Sequence, residues 1–204
     1  DDMARSYMDT DVLENQTYYI RIGSIKNGNE KLSDESQVNT LAINYTAKYP
    51  LIIDAKDVIT NEQFTLFNSS ISNEGVYFNG ESSSYATKSD TPATTLGNAD
   101  FTIEFLFKSD RASGSNEVLI DNYDGSGRSW QIMLDSNGRA TMFNSGYEFT
   151  STKSYLDGME HHYVIVRKNG ISKAIIDGEI VATFSLSSDL PTKSNFSMGI
   201  QFSN

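Results

Sequence analysis

The stretch Asp121-Asn122-Tyr123-Asp124-Gly125-Ser126-Gly127-Arg128-Ser129-Trp130 gathers side chains that suit ligand chemistry. Asp121 and Asp124 offer carboxylates of the kind that hold calcium, a hard cation that takes oxygen ligands. Asn122 and Arg128 add hydrogen-bonding groups, and Tyr123 and Trp130 add rings that can stack on the apolar face of a ligand. Together with Tyr147 they form the ligand-binding set read from the sequence, with Asp121 and Asp124 as its calcium ligands. No glutamate stands at the distance a defined calcium loop requires. The same stretch also reads as a glycine-rich hairpin connection, and Trp130 also reads as a core residue sharing a strand face with Ile132 and Leu134.

Other reactive residues are few. Glycoside hydrolysis needs two carboxylates facing one cleft, and Glu104 is followed on its own strand face by Leu106 and Lys108. His161 and His162 are the only histidines. Adjacent residues of a strand point to opposite faces, so the two cannot share a metal or act as an acid–base pair. Each reads as a packing residue. With no cysteine there is no disulfide, thiolate metal site or cysteine nucleophile. These observations set the expectation that the chain is not an enzyme. Tyr85, Tyr147 and Tyr155 lie near strand ends, where they can form an aromatic surface. Four glycosylation triplets, at Asn15, Asn44, Asn68 and Asn195, read as chance matches in an Asn/Ser/Thr-rich chain.

The elements that position these residues are strands. Phe101, Ile103, Phe105 and Phe107 alternate with Thr102, Glu104 and Lys108, the pattern of a strand with one apolar face. From His161 the chain reads as a three-stranded meander: His161 to Lys168, Ile171 to Ile176 and Glu179 to Phe184. Asn169-Gly170 and Asp177-Gly178 make its turns, since these dipeptides accept the positive φ angles of tight hairpins. Asn137-Gly138 and Asn79-Gly80 fit the same plan. Pro50, Pro92 and Pro191 fall between strands. No helix is needed, and the regular spacing of strands and turns predicts a β-sandwich or barrel.

Residues 6 to 42 resemble the last strands of a fibronectin type III domain. Leu13, Thr17 and Tyr19 stand at the spacing of that family's tyrosine corner, with Ile20 and Ile22 entering the next strand. Residues 51 to 204 resemble the laminin-G-like, or concanavalin-like, jelly-roll superfamily. Four segments carry the likeness: Gly75 to Tyr85, Asp100 to Phe105, His161 to Arg167 with Ile176-Asp177-Gly178 and Val181-Ala182, and Phe196 to Gly199. Glu160 stands where that family commonly has tryptophan. The family usually continues past the Gly199 element with a closing strand inside the sandwich. Its absence here predicts a gap that another chain or segment must fill.

The resulting expectation is an all-β chain: a fibronectin III-like part over 1–42, a linker over 43–50, and an antiparallel jelly-roll β-sandwich over 51–204. Sixteen basic against 27 acidic residues give a net charge of −11, which disfavours nucleic acid and anionic membranes as partners. No apolar run reaches the ~18 residues of a membrane span, and the first residues lack a signal-peptide pattern, so an export signal is expected either outside this chain or not at all. The paired resemblances imply a carbohydrate- or surface-binding adhesion module of a virion tail or fibre, or of a cell-surface protein. Its partners are then a carbohydrate or host-surface receptor and neighbouring subunits. The alternative is a structural module that assembles a virion or fibre by protein–protein contacts and binds no sugar.

Overall fold

The computed structural model describes residues 17–21, 23–26, 28–39, 47–51, 54–92, 94–111, 114–123, 128–144, 147–186, 189–190 and 195–199. Contacts divide the chain into two units, Asp1–Tyr45 and Thr46–Asn204. The first holds β1 (Thr17–Ile20), β2 (Gly23–Lys26), β3 (Asn29–Leu32) and β4 (Ser36–Asn39). They pair antiparallel, β1 with β4 and β2 with β3. Tyr19 and Ile20 are exposed, and Leu13 lies outside the described residues.

The second unit holds β5 (Thr65–Phe67), β6 (Ser69–Ser72), β7 (Gly75–Phe78), β8 (Tyr85–Ser89), β9 (Phe101–Lys108), β10 (Glu117–Tyr123), β11 (Arg128–Leu134), β12 (Arg139–Phe143) and β13 (Tyr147–Ser154). It continues with β14 (Glu160–Lys168), β15 (Ile171–Ile176), β16 (Glu179–Ser185) and β17 (Asn195–Met198). Among the described residues there is no helix. A seven-stranded sheet runs β13-β12-β11-β10-β17-β8-β5, and a four-stranded sheet runs β16-β15-β14-β9. The chain passes from β8 in the first sheet to β9 in the second, back for β10 to β13, across again for β14 to β16, and returns as β17. This is an antiparallel jelly-roll sandwich; the strand and turn spacing predicts a sandwich or barrel, and the jelly-roll resemblance implies this member of that set.

The two sheets enclose one apolar layer because alternate residues of each strand face inward. Phe107, Tyr163, Ile165, Ala174 and Ile176 come from the four-stranded sheet. Ile120, Trp130, Ile132, Leu134, Ala140 and Met142 come from the seven-stranded one. A smaller cluster, Ala55, Phe64 and Ala86, lies under the β5–β8 end.

The meander has the hairpins its dipeptides predict. Both residues of each turn have positive φ: Asn169 52° and Gly170 77°, Asp177 52° and Gly178 78°. Asn79-Gly80 behaves differently. β7 pairs back onto β6, so Gly80 lies in a connection to β8 and not in a hairpin. The residues after Gly199, where the resemblance puts a closing strand, lie outside the described residues. β17 itself pairs inside the sheet, with β10 on one side and β8 on the other.

Candidate functional site

Cross-strand partners of a sheet point to the same face. The register therefore lines up Thr65, Thr87, Ser197, Asp121, Gln131 and Phe143 across β5, β8, β17, β10, β11 and β12. The neighbouring row, Leu66, Ala86, Met198, Ile120, Ile132 and Met142, packs in the core. The polar row thus occupies the face turned away from the core. A register shift in β10 between Val118 and Ile120 sets this phase. Two residues of β10 there span one of β11, which puts Val118 on the outer face with Asp121 and leaves Ile120 inside.

The middle of the row is closed and its β5 end is open. Ser197, Asp121 and Gln131 are buried, whereas Thr87 is half-buried and Thr65 exposed. The Thr87 and Ser197 hydroxyl oxygens lie 2.9 Å apart in a hydrogen bond. The Gln131 side-chain amide has neither its donor nor its acceptor satisfied, a loss of about 1–3 kcal/mol per buried group.

One pleat along, the open end carries rings. Phe67 and Tyr85 are register partners. Their rings stack at 4.6 Å between centroids with planes 16° apart, and Phe67 is 40% exposed. The adjoining loops are tied by Asn68 Nδ2 donating to Ser83 O at 3.3 Å and Ser84 Oγ donating to Asn68 O at 2.9 Å. Tyr77 on the neighbouring hairpin is 65% exposed. An aromatic surface beside hydroxyl groups suits a ligand with one C–H-rich face and polar edges.

Of the residues read from the sequence, Asp121, Asn122 and Trp130 have described side chains, and these do not share one face. Trp130 is 1% exposed and packs edge-on against Phe196 at 5.9 Å, so its ligand-stacking reading is corrected to a core residue. Asn122 is turned to the core side, where Nδ2 donates to Asp90 Oδ2 at 2.8 Å; its ligand-contacting reading is corrected likewise. Asp121 is on the outer face, but both carboxylate oxygens are closed to solvent. Asp124 lies outside the described residues. The described residues contain no cluster of three or more metal-binding side chains. Of the two expected calcium ligands, only Asp121 is among the described residues. Tyr123, Arg128 and Tyr147 are described by backbone pairing alone: Tyr123 with Arg128 and Asn195, and Tyr147 with Phe143.

Of the tyrosines, Tyr85 belongs to the open end, and Tyr155 is buried against His161 and Phe107, which corrects its surface reading. Phe67 was not singled out from the sequence. Its pairing with Tyr85 joins residues far apart in the chain, and only the alternation of Thr65, Leu66 and Phe67 could have flagged its face.

The histidines take opposite faces. His162 Nε2 lies 2.7 Å from Glu104 Oε1 on the outside of the four-stranded sheet. His161 is buried, with Nδ1 2.8 Å from Asp177 Oδ2 and Nε2 3.0 Å from Asp157 Oδ1. The Met159 backbone N–H and then the His161 ring hold the Asp157 carboxyl below the ordinary aspartate range. For Asp177 burial acts upward, but hydrogen bonds from His161 and the His162 backbone, with the charges of His161 and Lys153, outweigh it and hold that carboxyl low.

Residues 79–203 match the family model described as the Concanavalin A-like lectin/glucanases superfamily. No curated protein sequence matches the chain. Among solved structures, Trypanosoma rangeli sialidase superposes with a TM-score of 0.61 at 18% identity, over 79% of this chain and 29% of that one. The same sialidase in complex with sialic acid gives 0.57 at 19% identity, over 80% and 27%. Apo Crh5 transglycosylase gives 0.48 at 11% identity, over 72% and 66%. The chain therefore spans less than a third of the sialidase, and likeness at this identity concerns the fold alone. It nevertheless corrects the expectation that the chain is not an enzyme, because chains that are enzymes carry this fold.

Proposed function

Because the chain belongs to the concanavalin A-like lectin/glucanases superfamily, we propose that its second unit recognises carbohydrate through the open end of the outer sheet face. The reading rests on the exposed Phe67–Tyr85 stack beside the Thr65 and Thr87 hydroxyls. A pyranose ring placed on the free face of the stack gains aromatic contact, while its hydroxyls reach Thr65 and Thr87. The fibronectin III-like strands before it, the acidic charge and the lack of cysteine suit a longer surface protein, a virion tail or a fibre. There the partner is a glycan receptor on a host or cell surface. Single sites of this kind are weak and gain strength from copy number.

A glycan array followed by calorimetry tests the proposal. Tyr85→Ala is expected to weaken the best glycan about two- to tenfold, since an aromatic contact is worth roughly 0.5–1.5 kcal/mol. Phe67→Ala should act alike. Binding that is absent from the array, or unchanged in both folded variants, overturns the site.

One observation favours a second reading, assembly by protein–protein contact. Half-buried Val164 and Ile175 and exposed Ile180 (54%) form an apolar row across β14, β15 and β16 on the outer face of the four-stranded sheet, with exposed Leu106 (61%) one pair along on β9 beside Glu104. If a neighbouring subunit covers it, Leu106→Glu lowers the mass seen by sedimentation at high protein concentration. Equal sedimentation of both proteins excludes that interface.

A further inference from the structure

Arg167 stands next to last in β14, on the core side with Tyr163 and Ile165. It is 3% exposed. Its Nη1 donates to Gly97 O at 3.0 Å, and its guanidinium lies 6.0 Å from the centre of the Phe101 ring. No carboxylate pairs with it among the described residues, and Nε has no hydrogen-bond partner. Its register partner on β15 is Ser172, which is fully buried and whose hydroxyl is also without a partner. Two polar groups on adjacent strands therefore face the same interior with unused hydrogen bonds, and one of them is a cation.

An uncompensated buried guanidinium is strongly disfavoured, and Ser172 adds a second unsatisfied group where a serine is easily replaced by alanine. The direction of the unused donors is specific. With Nη1 taken by Gly97, the Nε edge is left, and the edge formed by Nε and Nη2 is the one that grips a carboxylate with two parallel hydrogen bonds. The Ser172 hydroxyl can donate a third. The place is near solvent: exposed Lys168 and Asn169 follow at once, and Gly97, whose carbonyl accepts from Arg167, is held to Leu190 by an isolated bridge. A two-residue bridge opens more readily than a ladder.

We propose that Arg167 and Ser172 form a receptor for a carboxylate group of a small ligand, at the end of the sandwich and independent of the Phe67–Tyr85 surface. The carboxylate takes Nε and Nη2 of Arg167 and the hydroxyl of Ser172. An external acid is one source. The other is Asp189, whose Oδ1 lies near Gly97.

The test follows the arginine Nε–Hε resonances of the intact chain by NMR while sodium acetate, sodium glucuronate or sodium chloride is added. Acetate and glucuronate are expected to move the Arg167 resonance and chloride to leave it. Arg167→Lys keeps the charge but not the fork, and should weaken acetate at least tenfold by calorimetry. Ser172→Ala should weaken it several-fold, which keeps the test open if the arginine variant fails to fold. In Asp189→Asn the Arg167 resonance should match that of the parent before addition and respond to acetate as before. An Arg167 resonance unmoved by acetate and glucuronate overturns the proposal. So does an equal response to chloride. A shift on Asp189→Asn alone, with acetate inert in the parent protein, identifies Asp189 as the occupant and overturns the external ligand.

Discussion

At the scale of single residues, His161 shows how much chemistry a buried ring can organise without any ligand. Both nitrogens face carboxylates, Asp177 on one side and Asp157 on the other. Asp177 and Asp157 are held below their ordinary range, so their contribution to stability is complete above the unfolded aspartate value of about 4 and is lost as pH falls toward the lower folded value. Asp177→Asn should therefore flatten the acid side of the thermal-midpoint-versus-pH curve; an unchanged slope below pH 4 excludes this coupling. The sequence allowed part of this to be read. Adjacency in a strand is enough to separate His161 from His162, because strand periodicity is local. The partners were hidden, since Asp177 reaches His161 only after β14 and β15 fold back on each other. Trp130 shows the reverse: its alternation with Ile132 and Leu134 held the core reading, and the polar residues around it favoured the wrong one.

At the scale of elements, turns were legible and long-range pairings were not. Asn169-Gly170 and Asp177-Gly178 impose hairpins because two consecutive positive φ angles suit those residues and few others. Asn137-Gly138 closes its hairpin with only Gly138 positive, at 77°, and Asp135 Oδ1 accepts the Asn137 and Arg139 N–H groups at 2.9 Å each. This difference yields a graded prediction. Gly178 has open space around a would-be Cβ, so Gly178→Ala should lose only the backbone term, about 1–2 kcal/mol. A Cβ on Gly138 would come within 2.4 Å of Leu156 Cγ and Ser154 Oγ, so Gly138→Ala should lose more. Urea denaturation of the two variants measures the difference, and equal losses would show that Leu156 and Ser154 yield freely. The shift in β10 and the place of β17 had no local signature, because both follow from which strands meet.

At the scale of the whole second unit, stability resides in the layer between the sheets. Ile165 is fully buried there, and Ile165→Ala should lower unfolding free energy by about 2–5 kcal/mol in urea titration, with the slope unchanged. A loss below 1 kcal/mol would mean that the layer closes over the missing atoms. The outer face of the seven-stranded sheet received less guidance from sequence, because polar residues at Thr87, Ser197, Asp121 and Gln131 look like ordinary solvent-facing positions until the register joins them. The position of β17 also has a temporal meaning. Thr87 and Ser197 are hydrogen-bonded neighbours 110 residues apart in the chain. At a synthesis rate of about 5–20 residues per second, β8 leaves the ribosome roughly 5–20 s before the strand that must lie beside it. Once β10 has followed, and until β17 emerges, β8 and β10 have nothing between them, and each offers an unpaired edge to any passing chain. Until β17 takes its place, the nascent sandwich is open to mispairing along those two edges.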